Sequence, residues 1–164
     1  MLNQGIAQIK NFIKISERIG TAGQPTEAQF SAIKDAGYEV VINLAMPTST
    51  NAISNEDELV TSQGMVYVHI PVEWEAPTAQ DLDDFFHVMK ANESKKVFVH
   101  CALNMRVSAF IYLFRVICQG VRSVDAEEQL HQIWEPDKVW QEFIHNTLAE
   151  RGISNSISPK TLIK

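Results

Sequence analysis

The sequence predicts a three-layer α/β domain with a central, mainly parallel sheet of four to five strands. Short apolar segments rich in Val and Ile alternate along the chain with segments of helical periodicity. This alternation favours a parallel sheet with right-handed crossovers, because each helix carries the chain back to the start of the next strand. The apolar segments run almost without polar interruption, which is typical of strands that are buried on both faces.

The strands are predicted where apolar runs end at turn residues. Residues 12–19 indicate one short strand or two extended pieces, and residues 20–25 have the composition of a turn. Buried strands are predicted over residues 39–44, 65–72 and 96–100. Because ligands bind beyond the carboxyl ends of parallel strands, we expect a functional site at the loops that follow these three strands.

The helices are predicted from apolar spacing and from the residues at their ends. Thr26 and Gln29 have the spacing of a capping box, in which each side chain bonds to the backbone of the other residue. Thr78 and Asp81 indicate a second capped start, and Gly37 has the position of a helix stop. Helices are predicted over residues 27–36, 55–63, 78–92, 107–119, 125–133 and 137–151.

Length and composition predict a single domain over residues 1–164, with its core over about residues 15–150 and a loosely held last dozen residues. A net charge of −6 without any basic run argues against nucleic acid or an anionic membrane as partner. No apolar run is long enough to span a membrane, and residues 1–15 lack the continuous apolar stretch of a secretory signal. We therefore expect a cytoplasmic protein, and the oligomeric state stays open.

Residues 97–108 carry the strongest functional signal in the chain. Cys101 follows an apolar strand, and Arg106 stands at the start of a strongly apolar helix. Helix N-termini carry unpaired N–H groups and a partial positive charge, so they bind anions and favour a thiolate over a thiol. The second cysteine, Cys118, is predicted to be a core residue, and two cysteines are too few for a disulfide framework. The segment therefore indicates a nucleophilic thiol beside an oxyanion site.

Hydrolysis of a phosphate monoester fits this arrangement. Cys101 would attack phosphorus to form a phosphocysteine, while Glu73 or Glu75, on a loop predicted at the same edge of the sheet, would protonate the leaving group. Ser108 would donate its hydroxyl to the departing sulfur, and His100 would support the loop from behind. Backbone N–H groups and one guanidinium would hold the phosphate oxygens, and the residues predicted to do so are Ala102, Leu103, Asn104, Met105, Arg106 and Val107.

His100 and Cys101, followed by Arg106 and Ser108, resemble the signature of the protein tyrosine phosphatase superfamily. With the segments 23–26, 41–44, 69–72 and 99–101, the chain looks like the bacterial dual-specificity-like branch, and more narrowly like the phosphatase-like domain of beta-lactamase hydrolase-like proteins. The resemblance covers roughly residues 15–145. It implies a cysteine phosphatase-like fold, a phosphorylated protein or small molecule as substrate, and neither a metal nor an organic cofactor.

The sequence departs from the superfamily signature at three points. The superfamily has five residues between the cysteine and the arginine, whereas four stand here and Val107 takes the usual arginine position. The loop also lacks glycine, and Asn104 is the best substitute because asparagine tolerates the left-handed region. Glutamates replace the usual aspartic acid. Two alternatives follow: an inactive or weak phospho-ligand binding module, and a rhodanese-type sulfurtransferase, whose loop also has a four-residue gap.

Overall fold

The computed structural model describes residues 4–153, so the ends of the predicted domain, including nearly all of its last dozen residues, lie outside the described residues. Five strands form one sheet in the order β1-β2-β5-β3-β4. Only β1 runs antiparallel to its neighbour, and the other pairs are parallel. This arrangement confirms the predicted α/β class and the mainly parallel sheet. The strands are β1 (Ile13–Lys14), β2 (Ile19–Ala22), β3 (Val40–Asn43), β4 (Val66–His69) and β5 (Val97–His100).

Helices cover both faces of the sheet and complete the three predicted layers. Along β3, Val41 packs into one apolar core, whereas Val40 and Ile42 pack into the other, because successive side chains in a strand point to opposite faces. The smaller core takes side chains from α1 (Gln4–Ala7), α2 (Gln29–Asp35) and α3 (Glu56–Ser62). The larger core takes them from α4 (Ala79–Ala91), α5 (Met105–Cys118), α6 (Ser123–Ile133) and α7 (Lys138–Glu150). No helix within residues 4–153 is long and apolar enough to cross a membrane.

Helix α5 lies at the centre of the larger layer. Ten of its residues are buried, and it packs against α4, α6 and α7. A helix that is apolar on all sides is stable only when neighbours surround it, which is the situation here. The loop between β5 and α5 therefore begins and ends on two rigid, buried elements.

Two local predictions near the start of the chain are wrong. Helix α2 begins at Gln29 rather than at 27, because the Thr26 carbonyl already accepts the Gln29 N–H at 3.0 Å and closes a turn before the helix. Only half of the expected capping box forms: the Gln29 side chain accepts the Thr26 N–H at 2.9 Å. Part of the predicted turn over residues 20–25 belongs to β2, since pairing with β5 supplies backbone partners from far along the chain. The capping box of Thr78 and Asp81 is confirmed at the start of α4.

Candidate active site

A cleft of about 250 Å³ opens beside the segment that joins β5 to α5, which we call the cysteine loop (residues 101–106). Strand β5 lies between β2 and β3, so the loop emerges at the carboxyl edge of the sheet, where the sequence predicts a site. Cys101 is almost fully buried at the cleft. The side chains and backbone around the cleft come from Trp74, Cys101, Ala102, Leu103, Met105 and Arg106.

Two carbonyl groups of the cysteine loop accept hydrogen bonds from residues outside the loop. The Ala102 oxygen accepts the Gln24 N–H at 3.1 Å and the Asn51 side-chain amide at 3.3 Å, and the Leu103 oxygen accepts the Asn11 side-chain amide at 2.9 Å. Across the described chain, the N–H groups of residues 102–107 donate to no backbone acceptor. Successive unpaired amides of this kind, at the start of a helix, form an anion-binding concavity.

Asn104 takes the backbone role that glycine commonly has in such loops. Its φ of 69° lies in the left-handed region, which confirms the conformation expected from the sequence. The fully buried side chain donates to the Asn11 carbonyl at 2.8 Å and to the Thr21 hydroxyl at 3.1 Å. The Asn104 carbonyl accepts the Ser108 N–H at 2.9 Å, so this residue also begins helix α5.

Arg106 is nine-tenths buried at the cleft wall. One terminal nitrogen donates to the Val72 carbonyl at 2.9 Å, and the guanidinium carbon lies 5.8 Å from the centre of the Trp74 ring. Its Nε is buried and has no hydrogen-bond partner among the described residues. The shorter gap from Cys101 thus still brings a guanidinium to the cleft, while Val107, at the usual arginine position, is buried in the core.

The Ser108 hydroxyl is not directed at the Cys101 sulfur in this structure. It donates to the Met105 carbonyl at 2.8 Å, a bond that the first turn of a helix readily allows. The same oxygen accepts the Trp134 indole N–H at 3.0 Å. Ser108 is therefore near the loop but is engaged with helix α5 and with Trp134.

Glu73 and Glu75 lie on the carboxylate loop (residues 73–76), and both side chains are exposed. Neither carboxylate lines the cleft, whereas Trp74 between them does. The Trp74 carbonyl accepts the Trp140 indole N–H at 3.0 Å, and its ring packs against Trp134 and Trp140 with centroid distances of 5.2 and 5.7 Å. The tryptophan cluster fixes the position of this loop, and its carboxylates remain in solvent.

A buried polar network behind Cys101 involves a residue that the sequence did not single out. The Glu56 carboxylate is 3% exposed, lies 2.5 Å from the His100 Nε2 and accepts the Gln24 side-chain amide at 2.8 Å. The His100 Nδ1 lies 3.2 Å from the Cys101 carbonyl oxygen. Glu56 opens an acidic first helical turn, so its sequence context indicates only a favourable helix start. His100 is placed behind the loop, as the sequence analysis expects.

Besides burial, the Glu56 and Asp57 carboxylates also affect the pKa of a neighbouring residue, Tyr67. Burial raises the pKa of Tyr67 to about 12, and the charges of Glu56 and Asp57 act in the same direction. The hydrogen bond that the Tyr67 hydroxyl accepts from the Asn43 side-chain amide, at 3.1 Å, acts the other way. Tyr67 therefore stays protonated at neutral pH and is no candidate for a base.

Comparison with known proteins identifies the family to which this chain belongs. Residues 10–145 match the model of the family described as "DSP-PTPase phosphatase fused to NAD+ Kinase". A beta-lactamase hydrolase-like protein of Agrobacterium fabrum is 28% identical over 120 residues, which cover 71% of this chain but only 27% of that protein. The chain thus spans about a quarter of the length of that relative.

Solved structures show the same fold. A crystal structure described as a putative phosphatase (DUF442) from Shewanella putrefaciens CN-32 is 34% identical, with a TM-score of 0.80 over 90% of this chain and 97% of that one. Tk-PTP in its active form is 17% identical, with a TM-score of 0.72 over 86% of this chain and 97% of its own. The chain belongs to the DSP-PTPase family of the matching model and hence to the protein tyrosine phosphatase superfamily, which confirms the resemblance seen in the sequence.

Proposed function

We propose that this protein hydrolyses a phosphate monoester through a phosphocysteine formed on Cys101. One observation carries the proposal: the Cys101 thiol, a run of backbone N–H groups without backbone acceptors and the side chain of Arg106 meet at one cleft. Donors held in advance around the place where an oxyanion develops are the largest single source of stabilisation in reactions of this type. Family membership supports a phosphatase, and the nucleophile and the substrate are our assignments.

In the first step the Cys101 thiolate attacks phosphorus, and the bond from phosphorus to the ester oxygen breaks. The leaving oxygen takes a proton from Glu73 or Glu75, which must approach the cleft to deliver it. In the second step water attacks the phosphocysteine and gives a proton to the carboxylate that acted as the acid, the phosphorus–sulfur bond breaks, and inorganic phosphate and the thiolate are released. The loop amides and Arg106 bind the three non-bridging oxygens in both steps.

Ser108 has a proposed role in the second step, where the sulfur leaves. Trp134 donates to the Ser108 oxygen and so does not occupy the hydroxyl proton, which donates to the Met105 carbonyl in this structure. A turn from the Met105 carbonyl towards the sulfur would let Ser108 stabilise the departing thiolate. No metal and no organic cofactor has a place in this proposed sequence of steps, because protein groups fill each role.

The proposed substrate is a phosphorylated protein or a small phosphorylated molecule. Among proteins of the same fold, Pseudomonas aeruginosa TpbA has been solved with phosphotyrosine, and yeast Siw14 is described as a PP-IP phosphatase. Both are 12% identical to this chain and so indicate the fold alone. The net charge of −6 and the exposed Glu73 and Glu75 beside the cleft disfavour a polyanion. We place the reaction in the cytoplasm, where reducing conditions preserve a free thiol.

The decisive experiment is hydrolysis of p-nitrophenyl phosphate across pH 5–8 by the wild type, Cys101→Ser and Cys118→Ser. Cys118 is a suitable control, because it is partly buried in α5, and burial raises the pKa of its thiol, contrary to what a nucleophile needs. We expect Cys101→Ser to lose at least about a thousandfold in kcat and Cys118→Ser to stay within about twofold. Equal rates for all three proteins would refute the phosphocysteine.

A phospho-ligand binding module is the second candidate, and the exposed carboxylates of the carboxylate loop favour it. A module of this kind would gain thermal stability with inorganic phosphate but release no product from any ester. Transfer of sulfur from thiosulfate to cyanide, measured in parallel, tests the rhodanese-type alternative that the four-residue gap suggests. The three functions therefore give three different results with the same protein samples.

A further inference from the structure

Two asparagines take a backbone conformation that residues other than glycine rarely adopt. Within residues 4–153, Asn11 and Asn104 are the non-glycine residues with positive φ, at 54° and 69°. Such a conformation is unfavourable for any residue with a Cβ atom, and it persists only where the surrounding structure stabilises it. The two residues are 93 positions apart in sequence, and only one of them belongs to the cysteine loop.

The side-chain amide of each asparagine donates a hydrogen bond to a backbone carbonyl at or next to the other asparagine. The Asn11 side-chain amide donates to the Leu103 carbonyl at 2.9 Å, and the Asn104 side-chain amide donates to the Asn11 carbonyl at 2.8 Å. The preceding residue is held as well, since the Lys10 carbonyl accepts the Gly23 N–H at 2.7 Å. The segment 10–11 is therefore bonded both to the loop after β2 and to the cysteine loop.

The bond to Leu103 determines how the cysteine loop presents its donors. A trans peptide is planar, so its C=O and N–H point in opposite directions. Because the Leu103 carbonyl points to Asn11, the N–H of Asn104 points away from Asn11 and remains without a backbone acceptor. If the Leu103 carbonyl were released, this peptide could rotate and present an oxygen to a bound anion, which would repel it.

We propose that Asn11 and Asn104 form a clamp that holds the cysteine loop in its anion-binding conformation, which makes Asn11 a positioning residue of the site. The inference rests on the oxyanion site of the proposed function and not on turnover. The clamp explains why both positions carry asparagine rather than glycine: glycine would adopt the same φ without strain but has no side-chain amide to donate.

The test compares Asn11→Gly, Asn104→Gly and the double variant with the wild type. Glycine keeps the positive φ and removes the side-chain bonds. Asn11→Gly is the cleaner variant, because Asn11 is exposed, whereas the Asn104 side chain is fully buried and also donates to Thr21. Asn92→Gly is the matched control, because the Asn92 side-chain amide also donates to a backbone carbonyl, that of Val88 at 2.8 Å, at the end of α4 and outside the cleft. Vanadate affinity is measured by calorimetry. The values of kcat and KM are measured with p-nitrophenyl phosphate, and thermal stability is measured without ligand.

We expect each clamp variant to bind vanadate about five- to tenfold more weakly, the change that loss of a hydrogen bond produces. The melting temperature of Asn11→Gly should fall no more than that of Asn92→Gly. The double variant should be within about twofold of the weaker single variant, because the two bonds act as one unit. Since Asn11 is exposed, Asn11→Gly carries the test if Asn104→Gly does not fold.

The clamp is refuted if both single variants bind vanadate within twofold of the wild type, or if Asn92→Gly weakens binding as much as they do. A wild type that binds vanadate but hydrolyses nothing contradicts the proposed function and leaves the clamp intact. A wild type without vanadate affinity refutes both proposals.

Discussion

The cysteine loop and the carboxylate loop face the same cleft but are held in different ways. In the cysteine loop, long-range hydrogen bonds from Gln24, Asn51 and Asn11 fix consecutive carbonyl groups. In the carboxylate loop, a tryptophan cluster fixes the backbone, and Glu73 and Glu75 extend into solvent. The fold thus holds the groups that would bind an oxyanion by long-range hydrogen bonds, whereas the groups that would transfer a proton lie in solvent.

The difference matters because the cysteine loop and the carboxylate loop would contribute to the reaction in different ways. Donors held in place before the reaction stabilise charge without reorganisation and act on any phosphate ester. A general acid matters only where the leaving oxygen needs a proton. The cleft is therefore expected to bind oxyanions well and to hydrolyse activated esters more readily than unactivated ones.

Among substitutions that leave the Cys101 thiol in place, the largest effect is expected for Arg106→Ala, which removes the guanidinium from the oxyanion-binding cysteine loop. We expect kcat/KM for p-nitrophenyl phosphate to fall by about a hundred- to a thousandfold, as for loss of one oxyanion donor in other enzymes. Arg122→Ala is the control, because Arg122 is exposed and its ion pair within residues 4–153 is with Asp125, at the start of the same helix. A loss below tenfold for Arg106→Ala would mean that the loop amides bind the oxyanion without it.

Glu73→Gln and Glu75→Gln test whether the carboxylate loop donates the proton. The loss of rate in these variants should depend on the leaving group of the ester. With p-nitrophenyl phosphate, whose leaving group needs no proton, both variants should stay within about twofold of the wild type. With phenyl phosphate, the variant that lacks the acid should lose about a hundredfold in kcat. If neither variant changes either rate, the carboxylate loop supplies no acid, and the binding-module alternative gains support.

The smallest of these effects is a change in stability, for Glu56→Gln behind the cysteine loop. The substitution replaces a buried carboxylate that contacts both His100 and Gln24, and we expect the free energy of unfolding to fall by about 1–3 kcal/mol. Asp57→Asn, at the exposed neighbouring residue, should change it by less than about 0.5 kcal/mol. Urea denaturation measures both values, and equal changes would show that the buried network does not stabilise the loop.

Several features of the site could be predicted because they depend on local patterns. Apolar runs that end at polar residues identify β3 and β5, and the cysteine directly after β5 marks the site at the carboxyl edge of the sheet. The left-handed Asn104 follows from the absence of glycine in a loop that needs a positive φ. In each case the physical cause lies within a few residues of the feature.

Other features depend on pairs of residues far apart in sequence, and no local pattern reveals them. Glu56 looks like an ordinary acidic residue at a helix start, and only the tertiary structure shows that it contacts His100 at the end of β5. Asn11 has no local signal at all, and its role appears only when the segment before β1 lies against the cysteine loop.

The sequence by itself determined the α/β class and the superfamily and predicted a thiol beside an anion site, because the alternation of strands and helices and a cysteine before a helix start follow from residue type and spacing. Only the tertiary structure decided that the Ser108 hydroxyl faces the Met105 carbonyl and Trp134 rather than the sulfur. It also decided that the carboxylates near Trp74 lie in solvent. Side-chain direction depends on neighbours that the fold brings together, so it is set by packing and long-range hydrogen bonds rather than by position along the chain.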